Sequence, residues 1–125
     1  MKPSLLLAAT LLVANAASAN GLCSAIDGAK LVANDGTYLG EISNEYANDS
    51  ILNEYGNYGS EYSSESIWNE YGQYGGEYSS LSPFNEYTST PPRIFKNGQE
   101  IGRLTTNESL GSAVNPYLLK TCSFY

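Results

Sequence analysis

Residues 66–80 read SIWNEYGQYGGEYSS, and residues 50–64, sixteen positions earlier, read SILNEYGNYGSEYSS. A third and shorter copy, SPFNEY, occupies residues 82–87. Self-similarity at a fixed period is typical of chains in which short units stack, because one unit cannot bury its apolar side chains alone. The sequence therefore predicts about three tandem 16-residue units in a Tyr/Gly/Ser repeat, residues 44–91.

The first half of each unit has the signals of one short helical turn. Ser50, Ser66 and Ser82 each precede two apolar residues, and a serine hydroxyl is a good helix N-cap because it accepts a backbone N–H. Gly56 and Gly72 follow, and glycine commonly ends a helix in the left-handed conformation. The second half, rich in glycine and serine, is typical of loops. One turn is not stable by itself, so we expect tyrosine rings of successive units to pack together and fill the interior.

Two stretches that flank the repeat resemble each other. Residues 34–43 read NDGTYLGEIS, and residues 96–105 read KNGQEIGRLT. Each contains an Asp-Gly or Asn-Gly pair after a β-prone apolar stretch, which is the strongest short signal of a two-residue hairpin turn. We expect one β-hairpin on each side of the repeat, and we expect the two hairpins to pair into one small antiparallel sheet.

The first nineteen residues have the features of a secretory signal peptide. Lys2 supplies the positive start, an apolar run of signal-peptide length follows, and Ala17-Ser18-Ala19 fits a small-residue cleavage site. No second apolar run is long enough for a membrane span. We therefore expect residues 1–19 to be removed and residues 20–125 to form a single exported domain, periplasmic or extracellular.

The two cysteines lie near the two ends of the expected domain. In an exported protein Cys23 and Cys122 are expected to pair, although two unpaired thiols or an intermolecular bond remain alternatives. The predicted fold is then small, α+β or irregular. It has two β-hairpins flanking about three tandem units of short helical turns and loops, and it is closed by one disulfide. Its parts are an N-terminal hairpin at residues 20–43, the repeat, and a C-terminal hairpin and tail at residues 92–125.

The pattern of the hairpin and the repeat resembles a group of uncharacterised bacterial exported proteins. The matching runs are DGTYLGEIS at residues 35–43, NEY at residues 44–46 and DSILNEYGNYGSEYS at residues 49–63. Those proteins carry a DGxYLGxL hairpin followed by SxxNxYGxYGSxYS repeats. In them the Asn-x-Tyr is often Asn-Pro-Tyr, and proline there favours a tighter bend over a continuous helix. The resemblance implies a bacterial exported compartment and a shape, and it implies no particular reaction.

The composition excludes most functional classes. The chain has 13 acidic and 6 basic residues and a net charge of −7, so it repels nucleic acid and anionic lipid. It has no histidine, which removes the usual general base and the commonest metal ligand. Paired carboxylates could form a hydrolase, but the glutamates recur with the repeat, which is typical of a solvated acidic face. We therefore expect a protein that is not an enzyme and has no cofactor.

Two binding hypotheses and one assembly hypothesis remain. Tyrosine and tryptophan suit stacking on the sugar rings of a cell-wall or extracellular polysaccharide, or contact with another surface protein. Alternatively, the regularly spaced oxygen ligands bind calcium, although no known calcium loop is present. The third hypothesis is self-association of a polar, aromatic repeat. The candidate ligand-binding residues are Tyr55, Tyr58, Tyr62, Trp68, Tyr71, Tyr74 and Tyr78.

Overall fold

The computed structural model describes residues 21–125, so the expected signal peptide lies outside the described residues. The described part contains one five-stranded mixed sheet, a helical segment at residues 21–26 and one 3₁₀ helix at Pro116–Thr121. Among these residues no helix is both long enough and apolar enough to cross a lipid bilayer. The strands in chain order are β1 Lys30–Val32, β2 Tyr38–Glu41, β3 Arg93–Lys96, β4 Gln99–Leu104 and β5 Ala113–Val114.

The sheet joins the two ends of the chain. Its strand order is β2-β1-β3-β4-β5, and β1 pairs antiparallel with both β2 and β3. Leu31 of β1 lies opposite Ile94 of β3, and both side chains are fully buried. β3 pairs antiparallel with β4, whereas β5 runs parallel to β4. The short β5 therefore makes the sheet mixed, where we expected only antiparallel pairs.

The two glycine-containing connections in the sheet differ in length. Asn97 and Gly98 have φ values of 54° and 78°, and they join β3 to β4 as the two-residue turn expected for Asn-Gly. Between β1 and β2, Gly36 (φ 91°) donates its N–H to the Ala33 carbonyl, and the Ala33 N–H bonds to the Thr37 carbonyl. This connection is a three-residue loop that ends in a left-handed glycine, so the two-residue prediction is wrong at this position.

The disulfide between Cys23 and Cys122 is confirmed. Cys23 lies in the helical segment at residues 21–26, and Cys122 directly follows the 3₁₀ helix. The Asn115 side chain caps that helix by accepting the Tyr117 N–H. Leu119 is fully buried, so the bond fixes a C-terminal segment that is itself packed on the core.

The segment between the two strand pairs is a continuous series of turns. From Asn44 to Thr88 a backbone N–H bonds to the carbonyl three residues earlier, and the residue that ends one turn usually begins the next. Serine hydroxyls accept the N–H two residues later, as at Leu52 (3.0 Å) and Trp68 (3.1 Å). No helix is present in residues 44–92, so the predicted helical turns are wrong.

The turns stay separate because asparagine begins a new one at the point where a helix would continue. The Asn53 side chain accepts the Tyr55 N–H, which in a longer helix would bond back to the backbone. Gly56 and Gly72 are not among the described glycines with positive φ, so they do not end a helix in the left-handed conformation. The serine hydroxyl bonds expected from the sequence are therefore present, but each stabilises a turn.

The interior of the turn segment consists of aliphatic residues and serines. Ile51 and Ile67 are fully buried, and Pro83 takes the equivalent place sixteen residues on. The serines that precede these three residues are also fully buried. Of the repeat tyrosines only Tyr74 belongs to the buried core, with 5% of its surface exposed. The expectation that tyrosine rings fill the interior is therefore wrong for most of them.

Candidate functional site

Six Glu-Tyr pairs stand at the corners of turns and point into solvent. In each of these turns glutamate is the second residue and tyrosine the third, as in Asn53-Glu54-Tyr55-Gly56. The six tyrosine side chains are 82–98% exposed. An exposed tyrosine at one position is unremarkable, but six at equivalent corners form a surface of regular chemistry. These tyrosines are Tyr46, Tyr55, Tyr62, Tyr71, Tyr78 and Tyr87.

Asparagine fixes the corners that carry three of the pairs. Asn69 accepts the Tyr71 N–H at 3.1 Å, and its Nδ2 donates to the Ser63 carbonyl at 3.1 Å. Asn53 and Asn85 make the same two bonds with their own turns. Because both ends of the amide are bonded to backbone, the corner is held in one conformation and its glutamate and tyrosine project outward.

Three of the phenols on this surface have a raised pKa and remain protonated at neutral pH. The neighbouring glutamate raises the pKa of Tyr46, Tyr62 and Tyr87 above the ordinary value for tyrosine, through hydrogen bonding and through its charge. A protonated phenol beside a carboxylate offers one hydrogen-bond donor and several acceptors within one corner. That combination is suited to a ligand with many hydroxyl groups.

A first groove lies between the beginning of the turn segment and the C-terminal tail. Its volume is about 720 Å³, and the exposed tyrosines Tyr46, Tyr55 and Tyr62 line it. The glutamates of the same three corners, Glu45, Glu54 and Glu61, line it as well. Its lining also includes Leu52, Trp68 and Lys120. This groove therefore combines polar aromatic corners with apolar side chains and one amine.

A second groove adjoins the first. Its volume is about 1000 Å³, and its lining includes Trp68 and Lys120, which both grooves share. Two Glu-Tyr corners line this groove, those of Tyr71 and Tyr78, just as three such corners line the first groove. Phe84 also lines the second groove, at the position equivalent to Trp68 one sixteen-residue step later. Trp68 is thus the central residue of a continuous surface.

The position of Trp68 is fixed from several sides. Its Nε1 donates to the Ile51 carbonyl at 2.6 Å, and its ring centroid lies 5.6 Å from that of Phe84. Phe84 in turn contacts the ring of Tyr117 from the 3₁₀ helix, edge to face, at 5.2 Å. The Lys120 Nζ lies 4.2 Å from the Trp68 centroid, within the range of a cation–π interaction. A half-buried indole held in this way presents a rigid surface to a ligand.

The seven tyrosine and tryptophan candidates from the sequence divide into two groups. Tyr55, Tyr62, Tyr71 and Tyr78 are exposed and line the grooves around Trp68. Tyr58 and Tyr74 pack against the sheet, so they are not part of the candidate surface.

Contacts with the sheet explain the position of these two tyrosines. The Tyr74 hydroxyl donates to Asp35 Oδ2 at 2.8 Å and lies 3.0 Å from the Thr37 hydroxyl, while Tyr58 packs on Tyr38 with centroids 5.2 Å apart. The Thr37 backbone N–H and the Tyr74 hydroxyl hold the pKa of Asp35 below its usual range. Burial and the hydrogen bond to Asp49 raise the pKa of Tyr38. Tyr74 therefore has a structural role and no face available to a ligand.

Phe84, Tyr46, Tyr117 and Lys120 are among the groove residues that were not predicted as candidates. Phe84 occupies the position of Trp68 in the repeat, so its spacing was a usable signal. Tyr46 was signalled in the same way by its Glu-Tyr pair. Tyr117 and Lys120 come from the C-terminal tail, and nothing local in the sequence indicates that this tail packs against the turns.

Within residues 21–125 no three His, Cys, Asp or Glu side chains come together in a way that could hold a metal ion. What the two grooves offer is aromatic faces, phenol donors and carboxylate acceptors on a rigid support. No family model, no curated protein and no solved structure matches this chain.

Proposed function

We propose that this protein is an exported module that binds a carbohydrate polymer of the cell wall or the extracellular matrix in the two grooves beside Trp68. The observation that carries the proposal is the ring of Trp68, which lines both grooves and packs on Phe84 of the second groove, with solvent-exposed Glu-Tyr corners on either side. Ligand sites commonly combine such an apolar surface with a few well-placed polar groups. The alternative of calcium binding has no group of three acidic ligands in its favour among the described residues.

A sugar ring fits both kinds of group in the grooves. Its faces carry C–H groups that pack on aromatic rings, and its edges carry hydroxyls that exchange hydrogen bonds with phenols and carboxylates. A groove that alternates tyrosine and glutamate offers both along its walls. A polymer fits better than a single sugar, because two adjoining grooves provide more than one place for the same chemical unit.

The proposal includes a repeat as the basis of the site. In each unit four turns advance the chain by three residues and one turn advances it by four, since Ser60 and Gly76 bond to the carbonyl four residues earlier. Together these five turns span the sixteen residues of the sequence repeat. The repeat therefore places equivalent corners in both grooves. The antiparallel pairs β1–β2 and β3–β4 then correspond to the two predicted hairpins on either side of the repeat.

Export is part of the same proposal. It is supported by the leader-like sequence of residues 1–19 and by a disulfide between the ends of the domain. An oxidising compartment is also where wall and matrix polymers are found. The resemblance to bacterial exported proteins supports the same location.

The proposal predicts that groove tyrosines contribute to retention on a polysaccharide. Tyr55→Ala and Tyr71→Ala should each weaken binding about three- to tenfold, because each removes one stacking face. Neither change should affect folding, since the two side chains are 98% and 92% exposed. The measurement is the fraction of protein retained on insoluble cellulose, chitin, chitosan and purified peptidoglycan at increasing load.

The matched control is Tyr87→Ala, which removes the equivalent tyrosine from the third copy. Tyr87 is 85% exposed but does not line either groove, so its loss should leave retention unchanged. Trp68→Ala should abolish retention, and its circular dichroism spectrum must first show that it is folded. If no polymer retains the native protein, or if the native protein and all four variants are retained equally, the proposal is wrong.

A further inference from the structure

The grooves are lined by five carboxylates and one lysine, so they carry a net negative charge. Residues 44–88 contain eight acidic residues and no lysine or arginine. Among residues 21–125 the ion pairs are Lys30 with Glu41 and Asp49, and Arg93 with Glu100. None of these involves a groove carboxylate. The five groove carboxylates are Glu45, Glu54, Glu61, Glu70 and Glu77.

The side-chain amine of Lys120 lies in the region that both grooves share. Lys120 belongs to the 3₁₀ helix, and its Nζ lies over the Trp68 ring, 4.2 Å from the centroid. It forms no described ion pair with a groove glutamate, so its principal contact there is with the indole face. The surface therefore accommodates an ammonium group above an aromatic ring, with carboxylates around it.

We infer that the polymer held in these grooves is an amino sugar polysaccharide with free, protonated amines. This inference rests on the proposed function and specifies its ligand. Sugar rings stack on the tyrosine and tryptophan faces, while the ammonium groups pair with the glutamates of the corners. A polymer that carries carboxylate or phosphate groups is repelled by the same glutamates, because like charges at short range cost binding energy.

The test compares oligosaccharides of equal length whose sugar units are cationic, neutral or anionic. Soluble oligomers of glucosamine and of N-acetylglucosamine, equal in length, are titrated calorimetrically into the native protein, and an oligomer of a uronic acid serves as the anionic arm. Glucosamine oligomers should bind most tightly and uronic acid oligomers least. The glucosamine advantage should fall when ionic strength rises from about 0.1 M to about 1 M, because the screening length shrinks from about 10 Å to about 3 Å.

Variants at equivalent positions separate charge from packing. Glu54→Gln and Glu70→Gln keep the shape of the side chain and should each lower glucosamine affinity roughly two- to fivefold. Glu86→Gln is the matched control, since Glu86 is the equivalent residue outside both grooves. Lys120→Ala should raise glucosamine affinity, because it removes a competing ammonium from Trp68. None of the glutamate variants should change the affinity for N-acetylglucosamine oligomers.

The outcomes distinguish the inference from the function on which it rests. Equal affinity for the two oligomers, or tighter binding of the anionic one, overturns the inference and leaves carbohydrate binding intact. Binding of neither neutral nor charged oligomers overturns both. If polylysine binds while glucosamine oligomers do not, the partner is a basic polypeptide and the inference is wrong.

Discussion

Replacing Cys23 and Cys122 together with serine is expected to lower the free energy of unfolding by about 4–5 kcal/mol. The disulfide joins residues separated by 99 positions, so its loss frees almost the whole domain in the unfolded state. A loss of this size is a large fraction of the about 5–15 kcal/mol by which ordinary domains are stable. Urea unfolding of the native protein and the double variant, followed by circular dichroism, measures the difference.

Reduction of the native protein provides the control for this prediction. A reductant should bring the midpoint of the native protein down to that of the double serine variant, and it should leave the variant itself unchanged. The same change should loosen the C-terminal tail, which places Lys120 on the Trp68 ring. A difference below about 1 kcal/mol between the native protein and the variant would mean that packing alone holds the ends together.

Replacing Gly75 with alanine is expected to lower the free energy of unfolding by about 3 kcal/mol. Gly75 follows Tyr74 where the chain passes directly over the Asn69 carbonyl, and an added methyl group would overlap that oxygen. The overlap also involves the Ile67 carbonyl. The Asn69 carbonyl accepts the Gly72 N–H, and the peptide group of the Ile67 carbonyl carries the Trp68 N–H that bonds to the Ser66 hydroxyl, so moving either carbonyl disturbs a hydrogen bond. Thermal unfolding of the variant measures the loss.

Two further glycines make this prediction specific. Gly59 lies sixteen residues earlier against the Asn53 carbonyl, so Gly59→Ala should cost about as much as Gly75→Ala. At Gly72 the nearest atom is the Asn69 side-chain nitrogen, 3.3 Å from the added carbon, so a small displacement that keeps the hydrogen bonds of Asn69 is sufficient. Gly72→Ala should therefore change stability by about 1 kcal/mol or less. Equal losses at Gly72 and Gly75 would contradict the turn geometry described above.

Local signals in the sequence predicted the covalent and sheet-forming parts of the fold. The cysteines near the ends indicated the disulfide, and the Asn97-Gly98 pair indicated the tight turn between β3 and β4. The turn depends on two neighbouring residues and the disulfide on the presence of only two cysteines, so both can be predicted from the sequence alone. The parallel strand β5 was not predicted, because two residues carry no recognisable strand pattern.

The positions of the tyrosines could not be predicted from composition. A tyrosine is stable in a core when its hydroxyl is bonded, as for Tyr74, and equally stable at a surface corner, as for Tyr71. What decides between the two places is the turn in which the residue stands. In the turns that carry a Glu-Tyr pair the charged glutamate cannot be buried without a partner, so the adjacent tyrosine is exposed with it.

The candidate site was predicted in part. Trp68 and four exposed tyrosines were identified from residue type, because aromatic side chains in a polar repeat are unusual whether they form a core or a binding surface. Lys120 and Tyr117 were missed, since their contacts join residues far apart in the chain. Such long-range contacts depend on where the C-terminal tail packs. The disulfide constrains this position, but no local sequence pattern predicts it.

The rate of nitration of each tyrosine tests the central claim most directly, namely that the turns project their Glu-Tyr corners outward. The native protein is treated with tetranitromethane, and the modified peptides are followed by mass spectrometry over time. Tyr55, Tyr71 and Tyr78 should react as fast as the terminal Tyr125, which is 96% exposed, and Tyr74 should react last.

The three tyrosines whose pKa is raised by glutamate should react more slowly in the native protein than in urea, because nitration requires the phenolate. In urea Tyr74 should no longer react last. If Tyr74 in the native protein is nitrated as quickly as Tyr71, the inward and outward corners do not exist, and the grooves built from them do not exist either.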